Sequence, residues 1–368
     1  MPDLKTKLEE LQQEYSKTRY NKATNKHLGI LRRKISDVKK ELSKPKSRSG
    51  VGFSVKKTGD STVALVGFPN AGKSSLIGLL TGVESKVAGY SFTTVSVIPG
   101  MLEYNGASIQ ILDVPGLIEG AHTGKGEGAK IASAVRVCDL LLFVIDVNHP
   151  EQLYKLVDEL YDLKIIVNRK KPNIRIEKKL TGGIEIESLK KKIPDKKSIT
   201  NILNDFKIFN AKVIFYSDAD LEDLFEIVEG NSVYINAIVA LNKIDTVDME
   251  YAERIRQELE KTTKMKTILT SAIKNTGIPK LKDSIFSSLN LMRIYLKPKD
   301  GETDLSKPIV VKSGSTVFDV AKALHSKMAK NTKYAYVSGR SVRFENQKVG
   351  IDHILSDQDV VTIIYDKY

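Results

Sequence analysis

Apolar residues recur at two spacings along this chain, and each predicts a different kind of element. Leu4, Leu8, Leu11 and Tyr15 fall at helical intervals, as do Leu28, Leu31, Ile35, Val38 and Leu42, with a polar break at 21–25. That pattern predicts an antiparallel helical hairpin over 3–43, followed by a basic, glycine-bearing linker at 43–52. Short apolar runs then begin at 63–66, 109–112, 140–145, 238–241 and 267–269. They alternate with helical stretches at 74–80, 150–160 and 250–261, the pattern of a doubly wound, mostly parallel sheet with helices on both faces. Between the runs ending at 146 and 241 lie about 90 residues, far more than one connection needs. Isoleucines at 184 and 186, a helical pattern at 199–208, a run at 213–216 and a helix at 221–228 fill that gap. Segment 164–234 therefore reads as an inserted small α+β subdomain. From 291 the pattern changes again: a strand pair at 293–296 and 309–311, a helix from an N-cap at Thr316 through Lys327, and strands at 334–337 and 360–365. The expected organisation is 1–57, a 58–290 domain interrupted by 164–234, and a compact 291–368 domain.

Composition narrows what such a chain does. At 368 residues each of two or three domains can bury its own core. The longest apolar stretch, 140–147, is broken by Asp146, so no segment approaches the roughly 20 apolar residues of a membrane span. The first residues turn at once into a charged helical pattern with no leader-like apolar core, so the expected compartment is the cytoplasm, without a membrane partner. One cysteine, Cys138, excludes an intramolecular disulfide and a cysteine-based zinc cluster, and reads as a small core residue. The five histidines show no metal spacing. Net charge is +13, unevenly spread: +9 over 1–60, −5 over 61–163, +8 over 164–210 and +4 over 291–368. Two basic clusters flanking an acidic block point to a polyanionic partner.

The acidic block carries the chemistry. Gly67-Phe68-Pro69-Asn70-Ala71-Gly72-Lys73-Ser74 fits G-x-x-x-x-G-K-[ST] between an expected strand and helix. Glycines let backbone N–H groups approach phosphate oxygens, Lys73 supplies positive charge to the β- and γ-phosphates, and Ser74 offers Mg²⁺ a hydroxyl. Ser75 extends the helix start behind it. Asp113-Val114-Pro115-Gly116 follows a strand: Asp113 can hold Mg²⁺ through water, and the Gly116 N–H can meet a γ-phosphate. Asn242-Lys243-Ile244-Asp245 follows another strand, and the Asp245 carboxylate can accept two donors from a guanine edge that adenine does not offer. Ser271-Ala272-Ile273 follows a third, where a backbone N–H can meet the guanine carbonyl. Each motif alone can be a capped turn. Together, in this order and each at a strand's carboxyl end, they are specific for a guanine nucleotide, GTP or GDP.

The set resembles the translation-factor-type P-loop GTPases. The strings GFPNAGKSSL, VAGYSFTT and DVPGLIEGAHTGKGEG resemble the Obg-related branch, and within it the developmentally regulated GTP-binding protein family. The resemblance covers nearly the whole chain. It implies an N-terminal helical hairpin, a GTPase domain with an insert resembling a ribosomal-protein domain, and a C-terminal TGS domain of ubiquitin-like β-grasp fold. It implies Mg²⁺-dependent GTP hydrolysis, work in translation through ribosome or rRNA contact, and a regulatory protein that binds family members; DNA is not an expected partner. By the same resemblance Thr94 is the switch residue that ligates Mg²⁺, with Thr93 the adjacent alternative.

Two positions depart from a Ras-like site. Leu117 follows Gly116 where a water-orienting glutamine would stand, and no arginine lies between the P-loop and Asp113. Arg136 is the nearest, and reads as a solvated or helix-capping residue. Intrinsic hydrolysis is therefore expected to be slow. In similar GTPases an asparagine at the position of Asn70 ligates K⁺, so resemblance implies K⁺ stimulation; the plain alternative is that Asn70 favours the loop turn. Glycines 116, 120, 124, 126 and 128 make a permissive switch segment, in which His122 also lies. Tyr334 and Tyr336, near Lys333, Arg340 and Arg343, form either a stacking surface for RNA or ordinary packing. The rival reading of the whole chain is an RNA- or ribosome-binding scaffold whose nucleotide site never turns over. An ATP-preferring relative is disfavoured by Asp245.

Overall fold

A computed structural model describes residues 59–82, 99–114, 127–190, 192–298 and 308–366, with Glu10, Gln13, Glu14 and Leu305 besides. The expected hairpin and linker therefore lie outside the described residues, apart from Glu10, Gln13 and Glu14, which are helical and, where exposure is given, exposed. In chain order the elements are β1 (Ser61–Val66), α1 (Lys73–Thr81), β2 (Pro99–Tyr104), β3 (Ala107–Asp113), α2 (Glu127–Arg136), β4 (Leu140–Asp146), α3 (Gln152–Asp162) and β5 (Ile165–Val167). Next come β6 (Ile174–Lys178), β7 (Ile184–Ser188), α4 (Lys196–Asp205), β8 (Ala211–Phe215) and α5 (Leu221–Glu229). Then follow β9 (Val233–Asn242), α6 (Met249–Thr263), β10 (Thr267–Leu269) and α7 (Ile278–Ser288). The chain closes with β11 (Leu291–Leu296), β12 (Ile309–Lys312), α8 (Val317–Leu324), α9 (Ser326–Asn331), β13 (Thr332–Ser338), β14 (Gln347–Val349) and β15 (Val360–Tyr365).

A seven-stranded sheet in the order β10-β9-β4-β1-β3-β2, with β5 on β9, organises the first domain. Along the path from β10 to β3 every pairing is parallel, and β2 runs antiparallel on β3. All six residues of β1 are buried, as are the first six of β4, because helices cover both faces and no position is left for a polar alternation. α3 presents Leu153, Leu156 and Leu160 as one stripe, and α6 presents Ala252, Ile255 and Leu259. The order reverses at β1, whose neighbours β3 and β4 leave in opposite directions, so a crevice opens at its carboxyl end.

Residues 164–169 do not join the insert as their spacing suggested. β5 hydrogen-bonds into the large sheet, where Asn168 exchanges bonds with Ala237 through its side-chain amide (2.6 and 2.8 Å). Spacing alone gives no reason to separate this short run from the insert that follows it. Lys170–Val233 falls in a different compact unit from the sheet. There β6-β8-β7 form a three-stranded sheet whose apolar face, with Val213 and Phe215, packs on Ile199 and Leu203 of α4 and Leu224 of α5. Asp195 and Asp220 cap those two helices.

The last domain is a five-stranded mixed sheet, order β12-β11-β15-β13-β14, with α8 packed on one face through Val317 and Val320. Thr316 caps α8, in a reciprocal box with Asp319. The helix expected to run to Lys327 stops at Leu324: His325 is extended (φ −163°) and α9 starts afresh. The apolar stripe of α8 ends there, so nothing holds a further turn against the sheet. This domain sits against the first. Leu291 and Val310 enter the large sheet's core cluster, and Lys312 pairs with Asp139 at 3.0 Å. Among the described residues no helix is long and apolar enough to cross a membrane.

Candidate guanine-nucleotide site

Four loops leave the same edge of the parallel sheet. After β1 the chain turns through Gly67–Gly72 into α1, with Asn70 (φ 63°) and Gly72 (φ 95°) both left-handed. Gly67 and Gly72 are required for different reasons. A Cβ on Gly67 would lie 2.4 Å from the Val144 carbonyl oxygen, and one on Gly72 would lie 2.3 Å from Nδ2 of Asn242. The loop is thus pressed onto β4 and β9. Pro69, Asn70, Ser74 and Ser75 are exposed, Phe68 is half-buried and Ala71 is buried.

Lys73, the first residue of α1, curls back over the loop and donates from Nζ to the carbonyls of Gly67 (2.8 Å) and Phe68 (3.0 Å). Burial pushes its ammonium below the usual lysine range, with Asp113's charge acting against that shift. Asp113 ends β3, in register with Leu65 of β1. Burial pushes its carboxyl up, and the Lys73 charge offsets this only in part. Its Oδ1 is buried and accepts no hydrogen bond from any described residue. An unpartnered buried carboxylate oxygen beside a phosphate-type loop fits a cation and its bound water, which would supply the missing partner.

Asn242 holds the site together. It is buried at the end of β9, donating from Nδ2 to the Ala71 carbonyl (2.9 Å) and accepting at Oδ1 from the Ala272 N–H (3.2 Å). The sequence reading grouped it with guanine-contacting residues; in the structure one Nδ2 N–H and the Oδ1 link the first loop with the last, and Nδ2 keeps a second N–H. Lys243 is left-handed (φ 64°) and pairs with Asp146 at 2.8 Å. Burial would raise the Asp146 carboxyl, but hydrogen bonds from Lys243 and Asn148 outweigh it and hold the group below the usual range. Asp245 is half-buried and accepts from the Ser271 hydroxyl at 2.5 Å. The 271–276 loop is closed by paired backbone bonds between Ser271 and Thr276, and Ile273 stands 84% exposed.

Reasoning from sequence missed Asp146, Asn148 and the Ser271 side chain, which orient Lys243 and Asp245. Asp146 was visible as the one charge in an apolar run; Asn148 and the hydroxyl gave no signal. Arg136 donates to the carbonyl of Leu163, the residue capping α3, so it is committed to that helix end. Cys138 is buried, its thiol donating to the Ala134 carbonyl. Thr93, Thr94, Gly116, Leu117 and His122 lie outside the described residues.

A parallel sheet with a strand-loop-helix phosphate cradle at its switch point, and two further loops set for a guanine base, defines a P-loop GTPase. Comparison with known proteins agrees. The family model described as 50S ribosome-binding GTPase matches residues 62–179, that described as the C-terminal region of the same domain matches 181–291, and a TGS domain matches 292–365. The chain is 40% identical over 365 residues to Developmentally-regulated GTP-binding protein 1 of Xenopus laevis, covering 97% of this chain and 98% of the relative. It is 39% identical over 373 residues to Developmentally-regulated G-protein 3 of Arabidopsis thaliana, covering 99% of each. It is 41% identical over 366 residues to an uncharacterized GTP-binding protein of Methanocaldococcus jannaschii, covering 98% and 93%. The chain belongs to the developmentally regulated GTP-binding protein family.

Proposed function

We propose that this chain is a cytoplasmic regulatory GTPase that hydrolyses GTP to GDP and phosphate by in-line attack of water, and works in translation on the ribosome. The observation that carries the catalytic part is Asp113 at the end of β3, close enough to Lys73 of the phosphate loop to feel its charge, with a buried Oδ1 that accepts no hydrogen bond from a described residue. Lys73 exchanges the Gly67 and Phe68 carbonyls for phosphate oxygens, so its desolvation is compensated when nucleotide binds. Asp245, steadied by Ser271, accepts from the guanine edge, and the Ala272 N–H region lies beside the guanine carbonyl. Ser74, Asp113 and Thr94 would hold Mg²⁺, and Asn70 would hold K⁺. These ions supply positive charge that offsets the charge developing on the phosphates. Arg136 is engaged elsewhere, so this chain depends on such charge from outside, from K⁺ or from a partner.

The ribosomal part is supported by the charge map. In the insert, Lys179 and Lys212 are matched by Glu185 and Glu187, but Lys190, Lys192, Lys196 and Lys197 are exposed around the start of α4. Such a basic loop suits rRNA phosphates. The family's regulatory protein is the second expected partner.

Phosphate release, followed in KCl and in NaCl, tests the reading. Turnover is expected to be faster in K⁺, and Asn70→Ala to remove the difference. Equal rates in both salts overturn the K⁺ assignment. Nucleotide binding without any phosphate release, even with ribosomes and K⁺, would make the chain a scaffold whose nucleotide is structural. Ribosome cosedimentation over a salt series, with GTP analogue and GDP compared, tests the ribosomal part.

A further inference from the structure

The five-stranded sheet has two unlike faces. One carries Ile294, Ala335, Val337 and Val361 into the core beneath α8. The opposite face of β13 carries Tyr334 and Tyr336, one pleat apart and half-buried rather than enclosed. Their rings meet edge to face, with centroids 5.6 Å apart and planes at 88°. Lys348 of β14 stands across from Tyr336, and its Nζ lies 4.0 Å from the centroid of the Tyr334 ring. On the other side, β15 sets Ile364 opposite Tyr334 and Thr362 opposite Tyr336. No carboxylate stands at these register positions. Asp366, just beyond β15, is held by Lys333. The loop joining β13 and β14 adds exposed Arg340 and Arg343, with Glu345, and Phe344 at 64% exposure.

The paired tyrosines offer more than their contacts with each other and with Lys348: ring surface that Lys348 does not cover can stack a base, and the cations beside it can meet a phosphate backbone. A protein-docking face would want a larger apolar centre than Ile364 alone, and the cationic surround favours a polyanion. We propose that this face of the TGS domain binds single-stranded RNA, with bases stacking on Tyr334 and Tyr336 and phosphates meeting Lys348, Arg340 and Arg343. This inference rests on the RNA-directed function proposed above, and names where on the TGS domain the strand lies.

The test uses the full chain and a fluorescein-labelled oligouridylate, read by anisotropy over a salt series. Replacing both Tyr334 and Tyr336 by alanine is expected to weaken binding by about 30-fold or more, the loss of two base–aromatic stacks. Replacing both by phenylalanine keeps the rings and is expected to leave affinity within about twofold, since stacking needs no hydroxyl. Lys348→Ala should reduce the slope of log affinity on log salt by about one. Unchanged binding by the alanine variant, equal loss in the phenylalanine variant, or no binding by the parent chain overturns the proposal. Should the alanine variant fail to fold, photo-crosslinking of 4-thiouridine RNA to the parent chain decides: crosslinks within 332–348 support the site, and crosslinks confined to other peptides overturn it. Ribosome cosedimentation measured alongside separates the two readings. If the alanine variant binds oligouridylate as the parent does while cosedimentation persists, only this face is overturned. If the parent fails to cosediment, the earlier reading falls by itself.

Discussion

Replacing Asn242 by alanine removes a side chain that, among the described residues, joins the phosphate loop to the last guanine loop. Its Nδ2 holds the Ala71 carbonyl and its Oδ1 holds the Ala272 N–H, at 1% exposure. The substitution leaves two backbone groups without partners, each costing about 1–3 kcal/mol, so the loss is about 2–6 kcal/mol. At about 2–4 °C per kcal/mol for a domain of this size, Tm should fall by about 4–24 °C. Thermal unfolding followed by circular dichroism measures this, and calorimetric titration with GDP measures the accompanying loss of affinity. Asp245→Ala is the comparator. It is half-buried and loses one hydroxyl contact, so it should cost about 1 kcal/mol while abolishing preference for GDP over ADP. If Asn242→Ala melts no lower than Asp245→Ala, the view of Asn242 as the joint of the site is wrong.

Other outcomes follow from the same geometry. Asp113 has a carboxyl raised by burial, so its proton is bound more tightly when folded, and its ionisation costs stability at neutral pH. Asp113→Asn should therefore stabilise the nucleotide-free chain at pH 7; that gain should shrink as pH falls through the raised value and vanish below the ordinary carboxylate range, while Mg²⁺-dependent stabilisation by GDP is lost. Chemical denaturation across a pH series reads this. Gly72→Ala forces a Cβ against Asn242 in a left-handed backbone (φ 95°), and should cost at least about 1–3 kcal/mol in urea unfolding and weaken GDP binding. Between the domains, Lys312→Ala should cost less than about 1 kcal/mol because that end of the pair is exposed. Asp139→Ala should cost about 1–3 kcal/mol, since the carboxylate also accepts from the buried Thr62 N–H at 3.0 Å. Equal effects of the two would refute that asymmetry.

The elements that were legible in the sequence are those whose burial is complete or strictly periodic. Residues 63–66 and 140–145 are apolar because both sheet faces are covered, and residues 360–365 and 267–269 could be read to the residue. The phosphate loop was legible because its chemistry is local: a left-handed glycine, a lysine and a helix start must be consecutive. β5 and β14 were not: β5 runs on into the insert with no break in pattern between them, and β14 (Gln347-Lys348-Val349) carries a single apolar residue. The break at His325 escaped because it depends on where α8 meets its sheet.

The sequence by itself determined which residue types could meet a guanine nucleotide and in what chain order, since each motif is a short contiguous string. Only the tertiary structure decided how they cooperate. Asn242 and Ala71 are 171 positions apart, and Asp146 and Lys243 nearly a hundred, so no spacing rule connects them. Parallel strand pairing brings these ends to one edge of the sheet, and burial there makes the asparagine a strut between its loops, a role no contiguous motif displays. The two tyrosines show the same division. Their alternation could be read from the chain, but only the pairing of β13 with β14 and β15 shows that they face away from the core, beside Lys348.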